Sequence, residues 1–230
     1  MKPKEIFAKL KLQNRNNLTE AEAREVLIHY GIPVAKAELV RSFEDALRFG
    51  ERIGYPLVLK AISPQIIHKT EAGGVILNVR NDKELRLAYH QLLRNVKSKR
   101  PDAVLDGILV QQMLSGGYEV IVGGKYDQTF GQVLAFGFGG IFVEVYDDIS
   151  FRIVPISKND AEDMIEEVKA VKILKGYRGK KPADIPALVD IIMKTSKMLQ
   201  ENPEIRELDI NPVFAMSQGA IATDARIIIE

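Results

Sequence analysis

Oxygen-bearing side chains are concentrated in one short C-terminal segment. Glu207, Asp209 and Asn211 occupy alternate positions, so we expect all three to project from one face of a strand. Pro212 then limits pairing, and Asp224 follows on the next predicted strand after a short turn, which brings it opposite Asn211. Carboxylate and amide oxygens that converge in this way suit a hard cation such as Mg²⁺. The alternative interpretation is the solvated polar face of an amphipathic strand.

Two further residues have side chains suited to phosphate chemistry. Lys60 ends the short apolar run that begins at Pro56, which predicts a point charge at the rim of a sheet, where phosphates are often held. The alternative is a lysine that extends into solvent. His68 lies in a polar loop beside Glu71. A neutral imidazole can attack a phosphoryl group when a carboxylate fixes its tautomer.

Glycines are crowded between residues 137 and 140, where Gly137, Gly139 and Gly140 flank a single phenylalanine. Glycine allows backbone N–H groups to approach a phosphate closely, but it is equally common in tight turns. The spacing matches neither of the usual nucleotide-binding glycine patterns. The stretch is therefore only a weak indication of a phosphate site.

The composition is that of an ordinary globular protein, with 230 residues, 46% hydrophobic and 27% charged. The net charge of +1 gives no reason to expect a nucleic-acid or membrane partner. Cysteine is absent, which excludes disulfides, thiolate zinc sites and a cysteine nucleophile. Residues 1–12 lack the apolar core of a signal peptide, so we expect a cytoplasmic protein.

Helical and strand patterns alternate along the chain, which predicts an α+β or α/β architecture. Thr19 and Glu22 form a capping box that begins the first predicted helix. The other predicted helices are Ser42–Gly54, Asp82–Lys99, Asn159–Leu174 and Asp184–Gln200. The predicted strands are Val34–Val40, Pro56–Lys60, Val75–Val79, Ile108–Met113, Glu119–Val122, Gln132–Phe136, Ser150–Ile156, Ile205–Phe214 and Ala220–Ile229. We place a boundary between two lobes, 1–112 and 113–230, at the strand that begins with Ile108.

Several segments together resemble the β-subunit of ADP-forming acetyl-CoA (acyl-CoA) synthetase, a relative of the β-subunit of succinyl-CoA synthetase. The matching stretches include Gly-Tyr-Pro-Leu-Val-Leu-Lys (54–60), Ser-Pro-Gln-Ile-Ile-His-Lys-Thr-Glu-Ala-Gly-Gly-Val (63–75), Gly-Phe-Gly-Gly-Ile-Phe-Val-Glu-Val (137–145), Asp-Ile-Ser-Phe-Arg (148–152) and Glu-Leu-Asp-Ile-Asn-Pro (207–212). Each stretch is weak alone, but their order and spacing cover nearly the whole chain. The chain departs from the pattern at Gln128 and Gln132, where the family more usually carries proline.

The resemblance implies an ATP-grasp fold, in which two α+β lobes clamp a nucleotide. It implies the reaction acyl-CoA + ADP + phosphate ⇌ acid + CoA + ATP, carried out with a separate CoA-binding α-subunit in an α2β2 heterotetramer. The α-subunit takes the phosphoryl group onto its own histidine, and a histidine on the β-subunit, matched here by His68, passes it to ADP. The alternatives are another ATP-grasp carboxylate ligase and a non-catalytic nucleotide-binding subunit.

The resemblance also assigns the remaining site residues. It implies that Lys60 and Arg152 neutralise the nucleotide phosphates together with Mg²⁺, and that Asn211 and Asp224 bind the metal, with Asp209 as a further candidate. Main-chain groups of residues 111–114 are expected to hold adenine, and Glu119 to accept a ribose hydroxyl or a metal-bound water. The adenine segment consists of Gln111, Gln112, Met113 and Leu114.

Overall fold

A computed structural model describes residues 2–66, 68–139 and 148–230. The helices are α1 (Pro3–Leu12), α2 (Glu20–His29), α3 (Phe43–Ile53), α4 (Asp82–Lys99), α5 (Lys158–Glu167), α6 (Val171–Leu174) and α7 (Ile185–Glu201). The strands are β1 (Ala37–Val40), β2 (Leu57–Ile62), β3 (Val75–Val79), β4 (Gly107–Gln112), β5 (Tyr118–Asp127), β6 (Gly131–Phe138), β7 (Ile149–Ile153), β8 (Ile205–Ala215), β9 (Ala220–Ala222) and β10 (Ala225–Ile229). The mixture of helices and antiparallel sheets confirms the predicted α+β class.

The described residues divide into two compact units. The smaller unit is Ala35–Ser115, and the larger comprises Met1–Val34 together with Gly116–Glu230. The predicted boundary after residue 112 falls three residues before the observed one. The prediction differs more at the N-terminus, because the first 34 residues belong to the larger unit. Helix α2 packs against β10 there, a long-range contact that no local sequence pattern reveals.

The smaller unit contains a four-stranded antiparallel sheet in the order β1-β4-β2-β3. Leu57, Leu59 and Val110 form a core with residues of α3 and α4. Because side chains alternate along a strand, the helices cover one face of this sheet. The other face is lined by the intervening residues, which include Lys60.

The larger unit is built on a sheet in the order β10-β8-β5-β6-β7, with β9 paired to β8. The two faces of β8 differ in burial. Leu208 and Ile210 are buried on one face, whereas Glu207 and Asp209 are exposed on the other. The buried face packs against α5 and α7 through residues such as Met164 and Leu199. The other face of the sheet therefore carries the polar set of β8.

Local signals placed most helices correctly. The Thr19–Glu22 capping box is confirmed at the start of α2, and the Ser42 side chain caps α3 as its sequence predicts. The predicted helix 159–174 is wrong in its middle, because Val168 adopts an extended conformation after α5. The Asp148 carboxylate accepts hydrogen bonds from the N–H groups of Lys169 and Ala170 at this break.

Three other predictions need correction. No helix was predicted before residue 19, but α1 occupies Pro3–Leu12 and buries Ile6, Phe7 and Leu10. The last predicted strand is divided into β9 and β10 around Thr223 and Asp224. Lys60 does not end its strand, since β2 continues to Ile62. Within the part of the chain that is described, no helix is both long and apolar enough to cross a membrane.

Candidate functional site

The polar set of β8 is arranged as the alternation predicts. Glu207, Asp209 and Asn211 are exposed on one face of the strand. Ala225 pairs with Ile210, and the Asn211 N–H donates to the Asp224 carbonyl at 3.2 Å. Asp224 therefore lies opposite Asn211 as predicted, in the bend between β9 and β10. Because Asp224 lies between two strands, the direction of its side chain is not set by the alternation of side chains along a strand.

The charges around Asp209, Asn211 and Asp224 determine whether these residues are suited to bind a cation. Burial of the carboxyl group raises the pKa of Asp209, although the residue as a whole is exposed on its strand, and the negative charge of Asp224 raises that pKa further. The Arg226 charge and a hydrogen bond from Asn211 act in the opposite direction. Two carboxylates that repel each other beside an amide oxygen are a donor set that a hard divalent cation stabilises. The residues present therefore fit Mg²⁺.

Asp209 has an open neighbour that the sequence analysis did not single out. Gly123 of β5 is in register with Asp209, and because it has no side chain it leaves space on the sheet face beside the carboxylate. A Cβ at this position would lie 3.4 Å from the Leu208 carbonyl oxygen and 3.8 Å from the Ala135 Cβ. Gly123 and the adjacent Gly124 both lie within β5.

Glu119 also belongs to the polar side of this sheet. It is exposed on β5, between the buried residues Tyr118 and Val120, whose side chains contribute to the core. Its carbonyl accepts a hydrogen bond from the Gly139 N–H at 2.7 Å. The structure therefore brings Glu119, Asp209 and Asn211 to one face of the sheet and ties the beginning of the glycine-rich stretch to the same strand. Gly140 and the remainder of that stretch, to residue 147, lie outside the described residues.

The structure does not bring Arg152 to this face. Arg152 is in register with the buried Leu134, so its side chain lies on the side of the sheet that the helices cover. There its guanidinium forms two hydrogen bonds with the Glu167 carboxylate of α5, one of them at 2.9 Å. The sequence could not distinguish the two faces of β7, because Phe151 and Ile153 make the opposite, exposed face apolar.

Lys60 and Gln111 share one face of the smaller unit. Val58 is in register with Gln111, and Lys60 with Leu109, on adjacent antiparallel strands. The two side chains are buried, with 7% and 2% of their surface exposed. A lysine side chain is rarely buried to this extent unless it is paired with a polar group. The Gln111 Oε1 accepts no hydrogen bond from the described residues. This face of the sheet therefore carries a buried lysine and a buried amide on adjacent strands.

Main-chain groups at the end of β4 and just after it are already hydrogen-bonded within the smaller unit. The Gln112 N–H donates to the Lys36 carbonyl at 2.8 Å, and the Met113 N–H donates to the Pro56 carbonyl at 3.0 Å. These two donors are therefore not available to an adenine ring. Leu114, which is half-buried, follows them in the chain. Recognition of a base by this segment would rely on its remaining main-chain groups.

His68 lies on a loop that is anchored on both sides. Ile66 and Ala72 are buried in the core of the smaller unit, whereas His68 and Glu71 are exposed. The His68 carbonyl accepts a hydrogen bond from the Ala72 N–H at 3.2 Å. His68 is therefore an exposed residue between the buried Ile66 and the buried Ala72.

Similarity to known proteins shows the class of enzyme to which this fold belongs. A family model described as an ATP-grasp domain matches residues 9–229. The chain is 51% identical to the acetate–CoA ligase [ADP-forming] I subunit beta of Pyrococcus furiosus, over 99% of this chain and 98% of that protein. It is 44% identical to the acetate–CoA ligase [ADP-forming] I of Archaeoglobus fulgidus, of which it covers 33%. The chain belongs to the ATP-grasp family of ADP-forming acyl-CoA ligase β subunits.

Solved structures agree with this assignment. The chain superimposes on Ca. Korarchaeum cryptofilum acetyl-coenzyme A synthetase 1, in complex with coenzyme A, Ca-AMPCP and HgCl+, with a TM-score of 0.95 at 45% identity, over 98% of this chain and 99% of that chain. A second structure of that enzyme, in complex with coenzyme A and Mg-AMPPCP, has its phosphohistidine segment pointing towards the nucleotide binding site. It matches with a TM-score of 0.88 at 42% identity, over 99% of this chain and the whole of that chain.

Proposed function

We propose that this chain is the nucleotide-binding β subunit of an ADP-forming acyl-CoA synthetase, which makes ATP from acyl-CoA, ADP and phosphate together with a CoA-binding partner. The observation that carries the proposal is the agreement along almost the entire length with separate β subunits of that activity. The exposed His68 on its anchored loop supports the same conclusion, because a phosphoryl group in transit needs an accessible nucleophile.

The transfer consists of two substitutions at phosphorus. In the first, the lone pair of a neutral His68 ring nitrogen attacks a phosphoryl group carried by a histidine of the α subunit, and the P–N bond to that histidine breaks. In the second, a β-phosphate oxygen of ADP attacks the phosphorus on His68, and the P–N bond breaks to give ATP and a neutral imidazole. Glu71, three residues along the same loop, holds the second ring nitrogen in its protonated form.

The remaining residues bind and orient the nucleotide. Lys60 neutralises phosphate charge, and residues 111–114 hold the adenine ring. Asn211 and Asp224 hold Mg²⁺ with Asp209 beside them, and Glu119 accepts a hydrogen bond from the ribose or from a metal-bound water. When bound, Mg²⁺ neutralises charge on the phosphates. Phosphoryl transfer depends mainly on positioning and charge neutralisation, which these side chains supply.

The partner is a CoA-binding α subunit on a separate chain, and the assembly is an α2β2 heterotetramer. Relatives in which the matching segment is about a third of a longer chain support this division of labour. The β subunit alone is therefore expected to bind nucleotide without making ATP from acyl-CoA.

The test is an assay of ATP synthesis with the purified chain, candidate α subunits and a panel of acyl-CoAs. We expect no ATP from the chain alone and ADP-dependent ATP formation once a cognate α subunit is added. Full activity without an α subunit would contradict the proposal. Nucleotide binding without phosphoryl transfer, across the whole panel of partners, would instead indicate a non-catalytic nucleotide-binding subunit.

A further inference from the structure

Arg24 is a buried arginine of α2 that the chemistry described above does not use. Only 8% of the residue is exposed, and its Nη1 finds no hydrogen-bond acceptor among the described residues. A buried guanidinium is costly unless carboxylates compensate its charge. Its position in the fold therefore calls for a functional explanation.

Arg24 lies in helix α2, which packs against β10, the strand that begins just after Asp224. At one end of the helix, the Leu18 N–H donates to the Ile227 carbonyl at 3.0 Å. At the other end, the Ala222 N–H donates to the Pro33 carbonyl at 2.9 Å. The helix therefore runs antiparallel to β10, from beside Ile227 to beside Ala222.

The lengths of the two segments place Arg24 level with Asp224. The ten residues of α2 rise about 15 Å, and the stretch from Ala222 to Ile227 spans about 16 Å. Arg24 is the fifth residue of the helix, and Asp224 lies in the same middle part of the strand segment. The backbone contacts at both ends therefore place Arg24 at about the level of Asp224.

The charges around Arg24 agree with this placement. Burial lowers the pKa of Arg24, and the carboxylates of Glu20, Glu25 and Asp224 act against that effect. Glu20 is one helical turn before Arg24 and is itself only 5% exposed. Asp224 is the one of these three carboxylates that lies outside α2. The guanidinium therefore has a buried N–H without an acceptor in the described part of the chain, at the level of Asp224, and a planar N–H fork is suited to orienting a carboxylate.

We propose that Arg24 is a positioning residue of the metal site, whose guanidinium holds the Asp224 carboxylate in the orientation that presents it to the cation. This inference rests on the proposed function, because it assumes that Asp224 binds Mg²⁺. Outer partners that hydrogen-bond a ligating carboxylate typically strengthen metal binding by about 10- to 100-fold. A cation that acted only through its charge would have the opposite effect, since it would repel the metal.

The sign of the change in metal affinity therefore tests the proposal. Mn²⁺ is titrated into the full-length chain with ADP present, and free Mn²⁺ is followed by electron paramagnetic resonance. For Arg24→Met we expect Mn²⁺ binding to weaken about 10-fold or more. Arg24→Lys keeps the charge without the planar fork, so we expect an intermediate loss. Arg48→Met, which removes an exposed arginine of α3, should leave Mn²⁺ affinity unchanged.

A double-mutant cycle with Asp224→Asn separates positioning from a general structural effect. If Arg24 acts through Asp224, Arg24→Met should weaken Mn²⁺ binding little further in the Asp224→Asn background. ADP affinity in EDTA and the melting temperature show whether each variant remains folded. If Arg24→Met does not fold, Arg24→Lys takes its place in the cycle.

The outcomes distinguish this inference from the proposed function. Unchanged or tighter Mn²⁺ binding in Arg24→Met would overturn the positioning role, and so would an equal loss in both backgrounds. If Asp224→Asn itself leaves Mn²⁺ binding unchanged, the proposed metal site fails and the role of Arg24 fails with it. Weak binding in Asp224→Asn with normal binding in Arg24→Met would leave the metal site standing and reject only the role of Arg24.

Discussion

Asn211 and Asp224 lie opposite each other where β8 meets the bend before β10, joined by the Asn211 N–H and the Asp224 carbonyl at 3.2 Å. This backbone contact fixes the two side chains as neighbours whether or not a metal is bound. An amide and a carboxylate held together in this way need little rearrangement to bind a cation, which reduces the entropic cost of forming the site.

The first prediction concerns this pair. Asp224→Asn should weaken Mg²⁺-dependent ADP binding more than metal-free ADP binding, because it removes a charged ligand and keeps the size of the side chain. Calorimetry with Mg²⁺ and with EDTA measures the two affinities. Glu207→Gln, on the same strand face, is the control and should alter neither. Equal effects of Asp224→Asn under both conditions would show that Asp224 does not act through the metal.

A second prediction concerns Lys60. Lys60→Met should lower ADP affinity by about 1.5–3 kcal/mol, because it removes a charge-assisted contact to phosphate. Lys83→Met, which removes an exposed lysine of α4, is the matched control. If calorimetry gives the same ADP affinity for Lys60→Met and the wild-type chain, Lys60 has no role in phosphate binding.

The third prediction concerns His68. His68→Ala should abolish ATP synthesis by the reconstituted enzyme while ADP binding is retained, because the imidazole carries the phosphoryl group and does not hold the nucleotide. With radiolabelled ATP and an alkaline quench, the wild-type chain should carry acid-labile label and the variant should not. His90→Ala, on α4, is the control. ATP synthesis by His68→Ala at the wild-type rate would mean that phosphate passes directly to ADP.

The fourth prediction is that Arg152 does not contribute to ADP binding. Its side chain pairs with Glu167 on the helix side of the sheet, and the two side chains are 25% and 50% exposed. Partly exposed ion pairs contribute about 0.2–1 kcal/mol to stability. Arg152→Met should therefore lower the free energy of unfolding by at most this amount and leave ADP affinity unchanged. A large loss of ADP affinity would place Arg152 at the nucleotide despite its pairing.

A pH dependence is expected from the start of α2. Burial alone would raise the pKa of Glu22, but hydrogen bonds from Arg15 and the Thr19 N–H lower it overall below its ordinary value of 4.5. Because the folded state then binds fewer protons than the unfolded state, the stabilisation is fully present above about pH 4.5 and is lost as the pH falls through the depressed pKa. Glu22→Gln should cost about 1 kcal/mol at pH 7.

Urea unfolding at several pH values checks this prediction. The difference in the free energy of unfolding between Glu22→Gln and the wild-type chain should shrink as the pH falls below 4.5. Glu44→Gln, which changes an exposed residue of α3, is the control. A difference that stays constant down to acid pH would mean that the carboxylate of Glu22 contributes no pH-dependent stability.

Local patterns in the sequence were enough for features that depend on neighbouring residues. The capping box of α2 and the alternation along β8 were predicted because each follows from spacings of two or three residues. The pairing of Asn211 with Asp224 was also predictable, since a short turn joins the two predicted strands. The sequence failed where the determining contact is remote in the chain.

Arg152 and α1 show two features that depend on contacts remote in the chain. The face on which Arg152 lies depends on the register of β7 with β6 and on Glu167, none of which the local sequence specifies. Helix α1 was missed because its lysines break the apolar pattern, while Ile6, Phe7 and Leu10 become buried only against the larger unit. Arg24 was missed for the same reason, since its neighbour Asp224 is 200 positions further along the chain.

The smaller unit begins and ends at adjacent positions, because Ala37 is in register with Gln111 and the Gln112 N–H donates to the Lys36 carbonyl at 2.8 Å. In terms of chain connectivity, it is an inserted domain with neighbouring ends, of the kind that tolerates excision and transplantation. Residues 35–115 could therefore be expressed as an independent module, and a short bridge from Val34 to Gly116 would restore continuity in the remainder. A gene could therefore be split so that one product contains His68 and the other contains Asp224.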